Sequence, residues 1–126
     1  MSSQASQAAK KFLSEASTET TKGYDVPAID LIESNEMLIA RVALPGVSKS
    51  MIDLRVTEDT FSVEAKAMPK EGKYLRREMS PLGLKRELKL PLEIKPEQVK
   101  ATFENGILEV QLPKLVVVNA QRVEVD

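Results

Sequence analysis

Residues 99 to 112 read VKATFENGILEVQL, two short alternating runs on either side of an Asn-Gly pair. Asn-Gly is the preferred centre of a type I′ turn, because both central residues of that turn take positive φ. With Asn105 and Gly106 as a two-residue loop, Glu104 pairs with Ile107, Phe103 with Leu108, Ala101 with Val110 and Val99 with Leu112. One face of the hairpin is then wholly apolar, made of Val99, Ala101, Phe103, Leu108, Val110 and Leu112. The other face carries Lys100, Thr102, Glu104, Glu109 and Gln111, with Ile107 as the exception. A slip of one residue would set the face of Phe103 against Glu109 and Gln111, so the pattern selects the tight turn.

The same period-two texture runs upstream. Leu38, Ala40, Val42 and Leu44 share a face before Pro45-Gly46 stops the strand, and Ile52, Leu54 and Val56 alternate with Asp53, Arg55 and Thr57. Phe61, Val63 and Ala65 repeat the pattern, and LKRELKLP supplies another strand before Pro91. Regularly spaced strands without convincing helices predict an all-β, immunoglobulin-like β-sandwich. A chain of 126 residues suits one such domain with short tails. The expected boundaries are an arm at 1–25, the sandwich at 26–113 and an extension at 114–126. Residues 1 to 23 are rich in Ser, Gln, Ala and Thr, and only Phe12 and Leu13 are large and apolar. That composition buries too little surface to offset ordering, so a mobile arm is expected.

Two features exceed what a self-contained sandwich needs. Residues 67 to 83, AMPKEGKYLRREMSPLG, are too long for an ordinary hairpin loop. Within them KYLRREM has the length of a strand that pairs outside its own sheet, with a solvated charged loop as the alternative. Arg86 shares strand parity with Leu84, Leu88 and Leu90. An inward guanidinium needs partners, supplied by an interface or by water at a strand edge.

Chemistry is harder to find. There is no histidine and no cysteine, which removes the commonest general base, the thiol nucleophile and the usual transition-metal ligands. The acidic residues fall singly on outward faces or in turns, and Gly72-Lys73 lacks the preceding glycine of a phosphate-binding loop. Lys73, Arg76 and Arg77 are offset by acidic neighbours, and Tyr74 is their only aromatic, too little for a nucleic-acid platform. The methionines are scattered, as fillers of core or loop. Eighteen basic and nineteen acidic residues nearly cancel, and no apolar run is long enough for a membrane span or a signal peptide. The expectation is a cytoplasmic protein that is not an enzyme, with no catalytic residues, no cofactor, no metal, no nucleic acid and no membrane partner.

Taken together, these motifs resemble the small heat-shock proteins of prokaryotic or archaeal type, whose α-crystallin domain is a β-sandwich. The family pattern of Ala, three variable residues, Asn, Gly, any residue and Leu is met by Ala101, Asn105, Gly106 and Leu108. PAIDLIESNEMLIARVALPGVSKSMIDLRV resembles the family's first strands, and YLRREM followed by LKRELKLP its loop strand and arginine segment. Arg86, Leu90 and Pro91 match, whereas Leu84 stands where an aromatic is usual, and the arm is shorter and more polar than the family's. The resemblance covers about residues 26 to 126.

What the resemblance implies is an ATP-independent holdase that binds partly unfolded proteins and prevents their aggregation. A co-chaperone-type sandwich that docks on a folded partner is the alternative, and it generally lacks the loop strand and the terminal motif. The resemblance also implies a strand-exchanged dimer, assembled into a larger homo-oligomer. Its contact would be Tyr74, Leu75, Arg76, Arg77, Glu78 and Met79, with Arg86 beside it. Val123 and Val125 would be the C-terminal docking motif, with Val116 to Val118 as a competitor of shorter reach. The groove that receives the motif would have Ile52, Leu54 and Val56 on one lip and Val99, Ala101 and Phe103 on the other.

Overall fold

The computed structural model describes residues 22–118 and 121–126. Seven strands lie among them: β1 (Ile29–Glu33), β2 (Met37–Ala43), β3 (Ile52–Val56), β4 (Thr60–Lys66), β5 (Gly83–Lys89), β6 (Lys100–Glu104) and β7 (Ile107–Pro113). They form two antiparallel sheets, β1-β2-β7-β6 and β3-β4-β5. Most of the expected arm lies outside the described residues.

The hairpin has the register that its alternation demands. Glu104 faces Ile107, Phe103 faces Leu108 and Ala101 faces Val110. Asn105 and Gly106 take φ of 52° and 76°. The turn is pinned from outside, because the Leu44 N–H donates to the Gly106 carbonyl at 2.8 Å. β7 lies between β2 and β6, so this register also aligns Leu38, Ala40 and Val42 with Leu112, Val110 and Leu108.

The alternating apolar residues of the two sheets meet in one core. Leu38, Ala40, Val42 and Leu44 face Phe61, Val63 and Ala65, and Leu88, Leu90, Ile94, Leu108, Val110 and Leu112 complete it. Each large side chain buried here contributes roughly 1.5 to 3 kcal/mol. Ile94 is fully buried although it lies in no strand. Its N–H donates to the Glu58 carbonyl, and a bridge to Lys114 closes the sandwich end. Ala101 on β6 is exposed, so the hairpin's apolar face is covered on β7 but largely open on β6. Of the described methionines none is in the core; Met68 and Met79, 64% and 81% exposed, belong to the long segment between β4 and β5.

Residues 67–82 carry no strand of their own. Their return into β5 passes through Gly83, whose φ is +117° and whose missing Cβ would stand 2.2 Å from the Ala65 carbonyl oxygen. The crowding is backbone against backbone and cannot relax by a rotamer change. Gly83→Ala is therefore expected to cost about 3 kcal/mol or more, read as a lowered urea midpoint with an unchanged m-value.

Candidate functional site

Strand edges are where a sandwich meets other chains, because an edge presents unpaired backbone donors and acceptors. Two sheets have four edges, here β1, β6, β3 and β5. The β5 edge is already occupied. Asp25 pairs with it in parallel, its N–H donating to the Gly83 carbonyl at 2.9 Å and its carbonyl accepting from the Lys85 N–H at 3.0 Å. Residues 24–27 then lead into β1, which sets β5 over β1. The free edges of β3 and β6 therefore share the opposite side of the sandwich.

On that side the inward residues of both edges are only half covered. Ile52, Leu54, Val56, Val99 and Phe103 are half-buried against the core, and Ala101 is exposed. The candidate groove residues thus come together as two apolar lips. The extension does not fill the space between them. Val123 and Val125 are 80% and 96% exposed. Before them Lys114 and Leu115 remain tied to the domain, their N–H groups donating to the Glu36 and Glu93 carbonyls. Lys114 Nζ also pairs with Glu33 Oε2 at 2.7 Å, both side chains mostly buried. Val116 and Val118 are exposed immediately beyond this anchor.

The long loop stands off its own sandwich. Leu75 is 92% exposed, and Tyr74 and Met79 are exposed with it. Its local contacts are short-range: Tyr74 donates to the Lys70 carbonyl, Arg77 lies 4.5 Å from the Tyr74 ring centroid, and Arg76 pairs with Glu78. Only the root is fastened. The Ser80 N–H donates to the Asp25 carboxylate at 2.7 Å, the Ser80 hydroxyl donates to the Gly23 carbonyl, and Leu82 N–H donates back to that hydroxyl. This clasp of Asp25 and Ser80 had no signal in the sequence, since its members are 55 residues apart.

Arg86 does turn inward, opposite the buried Val63. Among the described residues its hydrogen-bond partner is a backbone carbonyl: one guanidinium nitrogen donates to the Pro27 carbonyl at 2.9 Å. Nε is buried without a partner among the described residues. Burial lowers the pKa of its guanidinium from the ordinary arginine value. On the outer face of β3-β4-β5, Asp53, Arg55, Ser62, Glu64, Lys85 and Glu87 line a shallow recess. Tyr24 from the arm's base reaches this face, donating to Glu64 at 3.0 Å, with Lys85 Nζ 5.6 Å from its ring centroid. Among the described residues no three potential metal-ligating side chains cluster, and no helix is long and apolar enough to cross a membrane.

Two measurements check these assignments. Arg86→Met keeps the packing and removes an unpaired buried donor, so it should unfold in urea within about 1 kcal/mol of the parent, with Arg86→Ala clearly lower. The Tyr24 hydroxyl, donating to the Glu64 carboxylate, titrates above the ordinary value of 10.0. A raised folded-state pKa means that this bond contributes fully below the unfolded pKa and is lost as pH rises through the folded one. Tyr24→Phe should therefore remove an ultraviolet phenolate transition that lies above the ordinary tyrosine range, and the stability gap between parent and variant should close at alkaline pH.

The chain matches the model of the Hsp20/alpha crystallin family over residues 30–126. It is 29% identical over 104 residues to small heat shock protein C2 of Rickettsia felis, covering 79% of this chain and 68% of that protein. It is 37% identical over 93 residues to a 17.8 kDa class I heat shock protein of Solanum lycopersicum, covering 68% of this chain and 59% of that one. Heat shock protein 16.0 of Schizosaccharomyces pombe has the same fold, with a TM-score of 0.70 at 19% identity over 100% of this chain and 94% of that chain. The chain thus spans about three fifths to two thirds of these curated relatives' length. With its 4+3 sandwich and its Asn-Gly hairpin in register, it belongs to the Hsp20/alpha crystallin family of small heat shock proteins.

Proposed function

We propose that the protein is an ATP-independent holdase that binds partly unfolded chains through apolar surface uncovered when its assembly loosens. The observation that carries this reading is the half-covered pair of lips, Ile52, Leu54 and Val56 against Val99, Ala101 and Phe103, next to an extension with exposed apolar side chains. Capture needs only such surface, with no catalysis and no cofactor. Family membership supports a chaperone role.

In this reading the unit is a strand-exchanged dimer held through Tyr74 to Met79, with Arg86 close to the contact. The support is a segment bonded to neither of its own sheets and a guanidinium that its own chain leaves partly unsatisfied. Val123 and Val125 of one dimer then plug the groove of another, since i and i+2 of an extended tail project to one side. Burying each valine contributes roughly 1.5 kcal/mol, so one tail holds with only about 3 kcal/mol. Many such tails together link dimers, yet each opens readily. A tail with isoleucine at both positions would gain about 0.8 kcal/mol per methylene, a more than tenfold slower release.

Two experiments follow. Light scattering of a heated aggregation-prone protein, ATP omitted, should show suppression near stoichiometric amounts; a folded sample that suppresses nothing at any ratio overturns the reading. In native mass spectrometry Val123→Ala/Val125→Ala should fall to dimers, and the double isoleucine variant should exchange subunits more slowly. A full oligomer of the alanine pair would remove the tail as the link.

A further inference from the structure

Glu33 and Lys114 are charged residues in inward register. Glu33 follows Ile29 and Leu31 on the core-facing side of β1, and Lys114 follows Leu108, Val110 and Leu112 just past the end of β7. They meet at one end of the sandwich, Lys114 Nζ 2.7 Å from Glu33 Oε2, with side chains only 12% and 22% exposed. Neither has a second ion-pair partner among the described residues. The backbone around the pair is held on both sides. Lys114 N–H donates to the Glu36 carbonyl at 2.9 Å, on the β2 side, and Leu115 N–H donates to the Glu93 carbonyl at 3.0 Å, on the opposite side. Lys95 N–H donates to the Pro113 carbonyl at 2.8 Å and Ile94 bridges Lys114, so residues 93–95 flank the root of the extension on the side of β6. Residues 113–115 thus sit in a slot. Val116 and Val118, just beyond it, are 71% and 77% exposed.

The slot decides what the extension can touch. Continuing the register of β6 on β7 sets Val99, the start of the β6 lip, opposite Leu112, one row before the slot. To lie along that lip the chain must cross β6, two strand spacings or about 10 Å away from β7. Freed back to Pro113, it has three residues up to Val116, also about 10 Å of chain, so Val116 and Val118 can lie along Val99 and Ala101. Seated as far as Leu115, it has three residues up to Val118, and even Val99 is then three rows back and two strands across, about 14 Å against the roughly 10 Å they span. Val123 and Val125, eight and ten residues past Leu115, are under no such limit. We propose that Glu33 and Lys114 form a latch that decides which valine pair enters the groove. Closed, it keeps Val116 and Val118 off the lips of their own chain and leaves the groove to Val123 and Val125 of another. Open, it lets Val116 and Val118 plug the groove of their own chain. The inference rests on the docking reading above and adds to it a pair of positioning residues.

The ion pair carries the latch because of what seating the root costs without it. A mostly buried charge that loses its partner is strongly destabilising, and peeling residues 114 and 115 out of the slot returns the remaining charge to water. With E33Q the seated root would hold an unpaired ammonium, and with K114M the Glu33 carboxylate would stay beneath the root without a cation. The backbone bonds of Lys114 and Leu115 resist less, since water at the end of the sandwich can replace the Glu36 and Glu93 carbonyls. Once the root is free, Val116 and Val118 are tethered within a few residues of the lips. That tether gives them a high effective concentration, which the single tail of a neighbour does not have. Opening the latch therefore moves the groove from a neighbour's tail to the chain's own.

The absence of cysteine allows disulfide trapping to identify the occupant. A101C places a thiol on the exposed residue of the β6 lip. Mildly oxidised, A101C/V123C should form bonds between chains, and A101C/V118C almost none. Adding E33Q or K114M should raise the A101C/V118C bond at least tenfold, closed within one chain. In native mass spectrometry E33Q and K114M alone should shift towards dimers. E33K/K114E, which restores the pair with its charges exchanged, should return A101C/V118C to its low yield. If E33Q and K114M do not fold, E33D, one methylene short of its partner, is the milder break and should raise the same bond several-fold. The latch is overturned if A101C/V118C bonds as readily with the pair intact as with it broken, or if the exchanged pair behaves like the single variants. A101C/V123C separates the two levels. If it forms no bond in any background, the docking reading itself falls; if it bonds while A101C/V118C is indifferent to E33Q, K114M and E33D, docking stands and the latch is removed.

Discussion

The register of β7 governs the larger sheet, and with it the core. β7 is hydrogen-bonded on both sides, so its alternation must suit β2 and β6 at once. Leu108, Val110 and Leu112 then reach the interior together with Leu38, Ala40 and Val42. A slip of one residue on either side would turn all three outward and bring Glu109 and Gln111 in. What prevents the slip is the left-handed pair Asn105-Gly106, reinforced by the bond from Leu44 N–H across to Gly106. A turn made for geometry thus also determines which residues of β6 line the open side of the sandwich.

That open side follows from the count of strands. Two layers of four and three strands leave two strand edges at each end, and the end at β5 and β1 is partly closed by residues 24–27. Closure there is polar: Asp25 completes the β5 ladder, and Pro27 offers its carbonyl to Arg86. The other end has no such cover among the described residues, so apolar side chains of β3 and β6 remain half in water. Leaving these groups uncovered forfeits stabilisation that a monomeric domain would normally gain, on the order of 25 cal/mol per Å². Their retention is understandable if another segment covers them part of the time.

The strands and most of the core were legible because both rest on a local period of two. Leu38, Val42, Phe61, Val63, Val110 and Leu112 all lie where alternation placed them, and Arg86 turned inward as its parity with Leu84 and Leu88 required. The exposure of Ala101 was not legible, since periodicity names a face but not what lies over it. Neither was the clasp of Asp25 with Ser80, nor the pairing of Lys114 with Glu33, because each joins segments whose approach depends on the finished fold. The partner of Arg86 shows the same limit. Parity required some acceptor, but nothing local marked the Pro27 carbonyl, 59 residues away.

The clasp has a consequence for how the arm and the loop behave together. Gly23 and Asp25 belong to the base of the arm, and Ser80 to the root of the loop, so the two leave the sandwich from one shared knot. Within it the Asp25 backbone holds β5 while its carboxylate holds the loop. The base of the arm and the root of the loop are thus fastened to each other as well as to β5. Hydrogen bonds of this kind are worth roughly 0.5 to 3 kcal/mol each, well below the stability of a domain of this size. Opening the knot is therefore much less costly than unfolding the sandwich, whose core lies apart from it.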